Sequence, residues 1–96
     1  SKTGIKLYNS ITALGISAPS TINEVYSKLP VNSVLFDSAD NFSDAATRGI
    51  VQIIKYASAR SAIFLYAKNE YADCRMFLDA EGNPTNEWLK VKYTEL

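Results

Sequence analysis

The 96-residue chain contains no histidine, a single cysteine and only four glycines. Without histidine there is no imidazole base to activate a serine or cysteine nucleophile, and a zinc site of clustered His and Cys is excluded. The lone Cys74 cannot close an internal disulfide, which excludes a disulfide-stapled mini-protein, and we expect it to be a small buried residue of a strand. No glycine-rich phosphate-binding motif occurs.

An excess of charge of one sign and long apolar runs are also missing. Ten basic residues balance ten acidic residues, so no net field attracts nucleic acid or an anionic membrane. No apolar run approaches the roughly 20 residues that span a bilayer. We therefore expect no nucleic-acid partner, no membrane insertion and no cofactor. A net charge near zero leaves little repulsion between copies, which permits self-association.

What the chain does contain is enough apolar sequence, 47% of its residues, for one small globular domain. Residues 1–17 follow neither the helical nor the strand period, and we interpret them as an extended connector before a single domain at residues 18–96. The clearest helix spans about residues 20–29. Thr21 and Glu24 fit a capping box, and the following apolar residues fall on one stripe, ending at Pro30.

Short strands joined by turns follow this helix. The predicted strands are Val34–Phe36, Ile50–Tyr56, Ala62–Lys68, Asp73–Leu78 and Glu87–Tyr93, and a strong turn is predicted over Asp79–Pro84. Consecutive short strands favour an antiparallel meander. The predicted fold class is α+β, mostly β, with one short helix packed on a meander of about four or five strands. Because Ile50–Tyr56 is apolar on both faces, we expect both to be covered.

Acidic residues concentrate in predicted loops, and we interpret them as solvated residues of turns. Asp37 to Thr47 lacks the central Gly and distal Glu of an EF-hand, so we interpret it as a solvated turn and predict no metal site. A glycosidase needs two carboxylates at a fixed separation, but the candidates lie in or beside predicted turns: Asp37, Asp40, Asp73, Asp79 and Glu81. We predict no catalytic residue and no enzymatic activity in this chain by itself. The sequence leaves open whether a longer parent protein is an enzyme.

The aromatic residues carry more information about binding. The predicted alternation puts one set on a single sheet face: Phe64, Tyr66 and Phe77, with Arg75 and Lys68. Such a face suits either a carbohydrate platform or packing against the helix or another subunit. Tyr71 lies in a predicted turn and is a candidate for an exposed contact.

The order of these features resembles the small knob-like domains of bacteriophage tail fibres and tailspikes and of phage-tail-like bacteriocins, the pyocin-knob type. Arg60 and six stretches carry the resemblance, which covers about Ile11 to Val91: Ser17–Pro30, Asn32–Leu35, Gly49–Tyr56, Ile63–Tyr66, Arg75–Phe77 and Trp88–Val91. Two features depart from the pattern. Asn86-Glu87 precedes Trp88 where relatives often have Ser or Gly, and the acidic loop from Asp37 to Asp44 is not part of it.

The resemblance implies a virion component at the distal, extracellular end of a phage tail. It implies a homotrimer whose small domains either contact host surface polysaccharide or space and trimerise the shaft. If glycan is bound, the expected ligand-binding residues are Tyr66, Tyr71, Arg75 and Trp88. Two alternatives stay open: a structural stalk or trimerisation module without ligand, and part of a glycan-degrading tailspike enzyme whose active site is in another domain.

Overall fold

A computed structural model describes residues 4–45, 48–56, 61–66, 73–79 and 81–91, with the backbone alone for 61–66, 73–75 and 90–91. Within these residues the chain forms one α-helix, two short 3-10 helices and a six-stranded sheet. The strands are β1 (Lys6–Tyr8), β2 (Ser33–Ser38), β3 (Ile50–Lys55), β4 (Ser61–Tyr66), β5 (Asp73–Leu78) and β6 (Leu89–Val91). The helix α1 spans Ile22–Lys28, and the 3-10 helices span Ile11–Leu14 and Ala39–Asn41.

The sheet follows the order of the sequence, β1 to β6, from one edge to the other. From β2 onward every neighbouring pair is antiparallel, so β2 to β6 form a five-stranded meander, whereas β1 pairs with β2 in parallel. The predicted fold class, α+β and mostly β with one short helix on an antiparallel meander, is confirmed. The parallel strand β1 was not predicted.

The helix α1 begins as its sequence predicts, although half of the capping box is replaced. The Thr21 hydroxyl accepts a hydrogen bond from the Glu24 amide at 3.2 Å. The Glu24 carboxylate does not reach back to the Thr21 amide and instead accepts from the Ser20 hydroxyl. The Ile22 amide is at the first turn, where a helix provides no acceptor of its own. It donates to the Asp44 carboxylate, at 3.1 and 3.3 Å to its two oxygens. An acid from a distant loop therefore completes the N-terminus of α1.

The hydrophobic core lies between α1 and one face of the sheet, which we call the inner face. The helix buries Ile22, Val25 and Tyr26, and Leu29 is buried just after it. The sheet contributes Leu35, Val51, Ile53, Met76 and Leu78, all buried in the same cluster. A helix of seven residues is unstable alone, so this contact stabilises the helix as much as the sheet.

From Lys6 onward, the segment predicted as an extended connector contributes to the sheet and to the core. Its residues 6–8 form β1 on the edge of the sheet, and both Ile11 and Ile16 are buried in the core cluster. The Ile11 amide donates to the Asp37 carboxylate at 2.8 Å. The expectation differs from the structure because a three-residue strand and a four-residue 3-10 helix are too short to show a hydrophobic period.

The predicted turn over Asp79–Pro84 is present and packs against α1. The Asp79 carboxylate accepts from the amides of Glu81 at 2.9 Å and Asn83 at 2.8 Å, which is the local pattern expected of Asp in a turn. The Asn23 side-chain amide, from α1, donates to the Glu81 carbonyl at 3.3 Å. The turn between β5 and β6 is thereby attached to the helix.

The other face of the sheet, here called the outer face, is left open. Its described side chains alternate with those of the inner face: Leu7, Val34, Phe36, Ser38, Ile50, Gln52, Ile54, Phe77 and Leu89. Ile50 is 45% exposed, Phe77 40% and Leu89 51%, whereas Val34 is 9% exposed and Ile54 beside it is half-buried. The expectation that β3 is covered on both sides therefore holds for its inner face, against which α1 packs, while its outer-face residues stay partly exposed.

Candidate functional site

The predicted ligand-binding residues do not form one cluster in the described part of the chain. Trp88 lies just before β6, is half-buried and packs against the core cluster. Tyr71 lies outside the described residues. Tyr66 and Arg75 lie in β4 and β5, where the structure describes the backbone.

The register separates Trp88 from the two strand positions. Tyr66 is paired with Ile50, and Arg75 is paired with Leu89. Both partners are exposed residues of the outer face, so positions 66 and 75 belong to that face. Trp88 precedes Leu89 and contacts the core on the inner side, in line with strand alternation. The aromatic platform and Trp88 are therefore two separate surfaces.

Trp88 lines a shallow cleft of about 480 Å³ at one end of the inner side. We call this the Trp88 cleft, and its lining residues are Asp44, Met76, Pro84, Asn86, Glu87 and Trp88. Most of the lining surface is apolar, and three of the six lining residues are polar: Asp44, Asn86 and Glu87. This is the usual composition of a small-molecule site, in which apolar surface gives contact area and few polar groups give orientation.

The segment before β6 is held beside β5 by hydrogen bonds to one residue. The Phe77 amide donates to the Asn86 side-chain oxygen at 2.9 Å, and the Phe77 carbonyl accepts from the Thr85 amide at 2.8 Å and from its hydroxyl at 3.1 Å. The Asn86 side-chain amide also donates to the Glu87 carbonyl. Asn86 thus uses both ends of its amide to shape the wall of the cleft.

Trp88 is positioned by a contact across a long stretch of sequence. Its indole Nε1 donates to the Asp44 carbonyl at 3.4 Å, while the carboxylate of the same Asp44 caps α1. One loop residue therefore connects the start of the helix with the cleft. A distance of 3.4 Å is long for this bond, which makes the contact a weak one.

Some polar groups of the cleft already form hydrogen bonds within the described part of the protein, and one does not. The Asp44 carboxylate and the Asn86 amide already make hydrogen bonds within the protein. Glu87 is exposed, and the described hydrogen bonds leave its carboxylate unengaged. Glu87 is therefore the best-placed acceptor for a ligand hydroxyl or amide that contacts the Trp88 ring.

Two of the five acids considered as catalytic candidates, Asp37 and Asp79, accept hydrogen bonds from backbone amides. Asp37 accepts from the Ile11 and Ser38 amides and from the Asn41 side chain, and Asp79 accepts from its own turn. Among the described residues, no group of three or more His, Cys, Asp or Glu side chains could hold a metal ion. Asp73 lies in β5, where only its backbone is described.

Sequence reasoning named Trp88 and missed the rest of its cleft. Asp44 and Trp88 are 44 positions apart, and no periodic pattern predicts a contact between two loops. The run Pro84-Thr85-Asn86 was a weak signal, since Thr and Asn side chains in turns often form hydrogen bonds with nearby backbone groups.

Within the described residues, no helix has the length and apolar character needed to cross a membrane.

Compared with family models, with curated proteins and with solved structures, the chain finds no match in any of the three. The resemblance to knob-like tail-fibre domains therefore stays a prediction based on the order of residues.

Proposed function

We propose that this chain is a non-catalytic domain of a bacteriophage tail fibre or tailspike that contributes to attachment to glycans of the host surface. In this proposal the domain belongs to the virion, outside the host cell, and works as part of a homotrimeric fibre. The resemblance in residue order supports the fibre context. The Trp88 cleft supports the part of the proposal that concerns glycan binding.

The cleft suits a sugar ring because it combines one aromatic face with polar groups at its edge. A pyranose has an apolar C–H face that packs on an indole and a rim of hydroxyls that need hydrogen-bond partners. Trp88 supplies the ring, Met76 and Pro84 extend the apolar surface, and Glu87 offers a carboxylate at the margin. A shallow cleft of this size holds one or two rings, so each contact is weak.

Weak binding sites are sufficient for attachment to a surface when several copies bind at the same time. In a trimeric fibre three copies of the cleft reach one surface, and each bound copy raises the effective concentration of the others. The avidity of the fibre then exceeds the affinity of a single cleft by orders of magnitude. Attachment therefore does not require a deep pocket.

Binding of purified bacterial surface polysaccharides, displayed on an array, tests this proposal. We expect Trp88→Ala to weaken binding by about tenfold or more, because an aromatic anchor at the centre of a site carries most of its energy. Glu87→Gln is expected to weaken binding less, while leaving the fold unchanged, since Glu87 is exposed.

The matched control is Tyr56→Ala, which removes an aromatic residue that is 67% exposed and lies outside the cleft. Unchanged binding by Trp88→Ala, or equal losses for Trp88→Ala and Tyr56→Ala, would contradict the proposal. No binding by the unaltered chain to any polysaccharide would favour the alternative of a stalk or trimerisation module without ligand. Degradation of the polysaccharide by this chain alone would favour an enzyme.

A further inference from the structure

The outer face of the sheet is the largest feature that the Trp88 cleft does not explain. Seven of its nine described side chains are apolar and the other two, Ser38 and Gln52, are uncharged: Leu7, Val34, Phe36, Ser38, Ile50, Gln52, Ile54, Phe77 and Leu89. Several are large and exposed. An apolar face of this kind, continuous over neighbouring strands, is the mark of an interaction surface.

We infer that this outer face is the surface through which copies of this chain associate, sheet against sheet. The inference does not depend on glycan binding, because the Trp88 cleft lies on the inner side. Sheets pack face to face at a separation of about 10 Å with interdigitating side chains. A second copy supplies a sheet of the same dimensions and the same alternation.

The size of the face suits such a contact. The four central strands have six residues each, and β1 and β6 have three. With strands about 4.8 Å apart and a rise of about 3.3 Å per residue, the flat area is on the order of 480 Å². Side-chain relief raises the accessible area towards the roughly 600–800 Å² that each partner buries in a stable complex.

The charges of the face favour another copy over a different partner. None of its described side chains is charged, and the register adds one acidic and one basic position, Asp73 and Arg75. A face whose charges cancel does not repel itself, and the whole chain has a formal net charge of zero. A partner of opposite charge would have nothing to recognise here.

The apolar residues on both faces of β3 also favour a contact between copies. Val51 and Ile53 on its inner face are fully buried, whereas Ile50 on its outer face is 45% exposed and Ile54 is half-buried. A strand that is apolar on both faces is typical of a sheet that is covered on both sides. In the single chain, the described residues leave the outer side partly exposed.

Light scattering over a range of concentrations tests the inference with the unaltered chain and with Ile50→Lys and Phe36→Lys. We expect a mass of two or more copies for the unaltered chain. Either lysine, buried and unpaired in the contact, is expected to raise the dissociation constant by about tenfold or more. The control is Val31→Lys, since Val31 is 51% exposed and lies in the turn before β2.

A single-copy mass for the unaltered chain at all concentrations would overturn the inference. So would association that Ile50→Lys leaves unchanged, or that Val31→Lys weakens equally. Hydroxyl-radical footprinting of the unaltered chain gives a readout that needs no variant. Phe36 and Phe77 are expected to become protected as concentration rises, while Val31, in the turn before β2, stays accessible. Constant labelling of all three would refute the contact.

Discussion

Gly82 shows how one residue allows the turn between β5 and β6 to pack on α1. Its φ of 89° lies in the left-handed region, and a Cβ added there would stand 2.5 Å from Cδ2 of Tyr26 and 3.1 Å from the side-chain nitrogen of Asn23. Two constraints therefore meet at this position, the backbone conformation and the space beside the Tyr26 ring. Only glycine satisfies both without a shift of the Tyr26 ring.

We predict that Gly82→Ala lowers the free energy of unfolding by about 2 kcal/mol or more, from backbone strain together with overpacking. Urea denaturation measures the loss. Gly15→Ala is the matched control, because Gly15 has a φ of 77° but nothing within 4 Å of an added Cβ. It should lose only the strain of the left-handed conformation, about 1 kcal/mol. Equal losses at the two positions would show that the turn does not press on α1.

Lys55 is the charged residue most closely tied to the core. Its ammonium donates to the Tyr26 carbonyl at 3.0 Å and lies 4.3 Å from the centre of the Tyr26 ring. Burial lowers the pKa of Lys55 below its ordinary value, because removal from water disfavours the charged form.

This shift predicts a direction for stability against pH. Between the lowered pKa of folded Lys55 and its ordinary pKa, the unfolded chain binds more protons at this group than the folded chain does. The contribution of Lys55 to stability therefore rises as pH increases through that window and is constant below it.

Denaturation at neutral and alkaline pH should show the unaltered chain gaining stability relative to Lys55→Met as pH rises. The same substitution at the exposed Lys28 controls for the general loss of a positive charge. A constant or falling difference between the unaltered chain and Lys55→Met would contradict the direction.

At the scale of elements, α1 depends on a residue outside itself. Thr21 caps it locally, and the carboxylate of Asp44 accepts from the Ile22 amide across 22 positions. A negative charge at a helix N-terminus also interacts favourably with the helix dipole. The loop after β2 is thus part of the helix start.

We predict that Asp44→Ala lowers the free energy of unfolding by about 1 kcal/mol, the usual cost of losing a cap. The Asp44 carbonyl that accepts from Trp88 belongs to the backbone and is retained, so thermal or urea denaturation reports the cap itself. Asp40→Ala is the control, since Asp40 is an exposed acid of the same loop and is expected to change stability by less than about 0.5 kcal/mol. A loss at Asp40 as large as that at Asp44 would argue against the cap.

At the scale of the whole molecule, the sheet separates two surfaces. The inner side has the helix, the core and the Trp88 cleft, and the outer face has exposed apolar side chains. Because they lie on opposite sides, Trp88→Ala should leave self-association unchanged, and Ile50→Lys should leave the affinity of a single cleft unchanged. Glycan binding at the Trp88 cleft and association through the outer face can therefore fail separately.

The sequence by itself determined what depends on neighbouring residues. Local periodicity and turn chemistry give the helix near residues 20–29, its Thr21 cap and the turn at Asp79–Pro84. They also give all five predicted strands, each with bounds within two residues of the structure. The strand predicted at Val34–Phe36 is longer than expected, Ser33–Ser38, because its polar end continues in register with β3.

Only the tertiary structure decided which distant groups meet. The parallel β1, the burial of Ile11, the use of Asp37 and Asp44 as backbone acceptors and the assembly of the Trp88 cleft all join residues more than 20 positions apart. Such contacts leave no period in the sequence. They form because buried amides need hydrogen-bond acceptors and apolar side chains need a common core. The path of the folded chain decides which distant groups lie close enough to meet these needs.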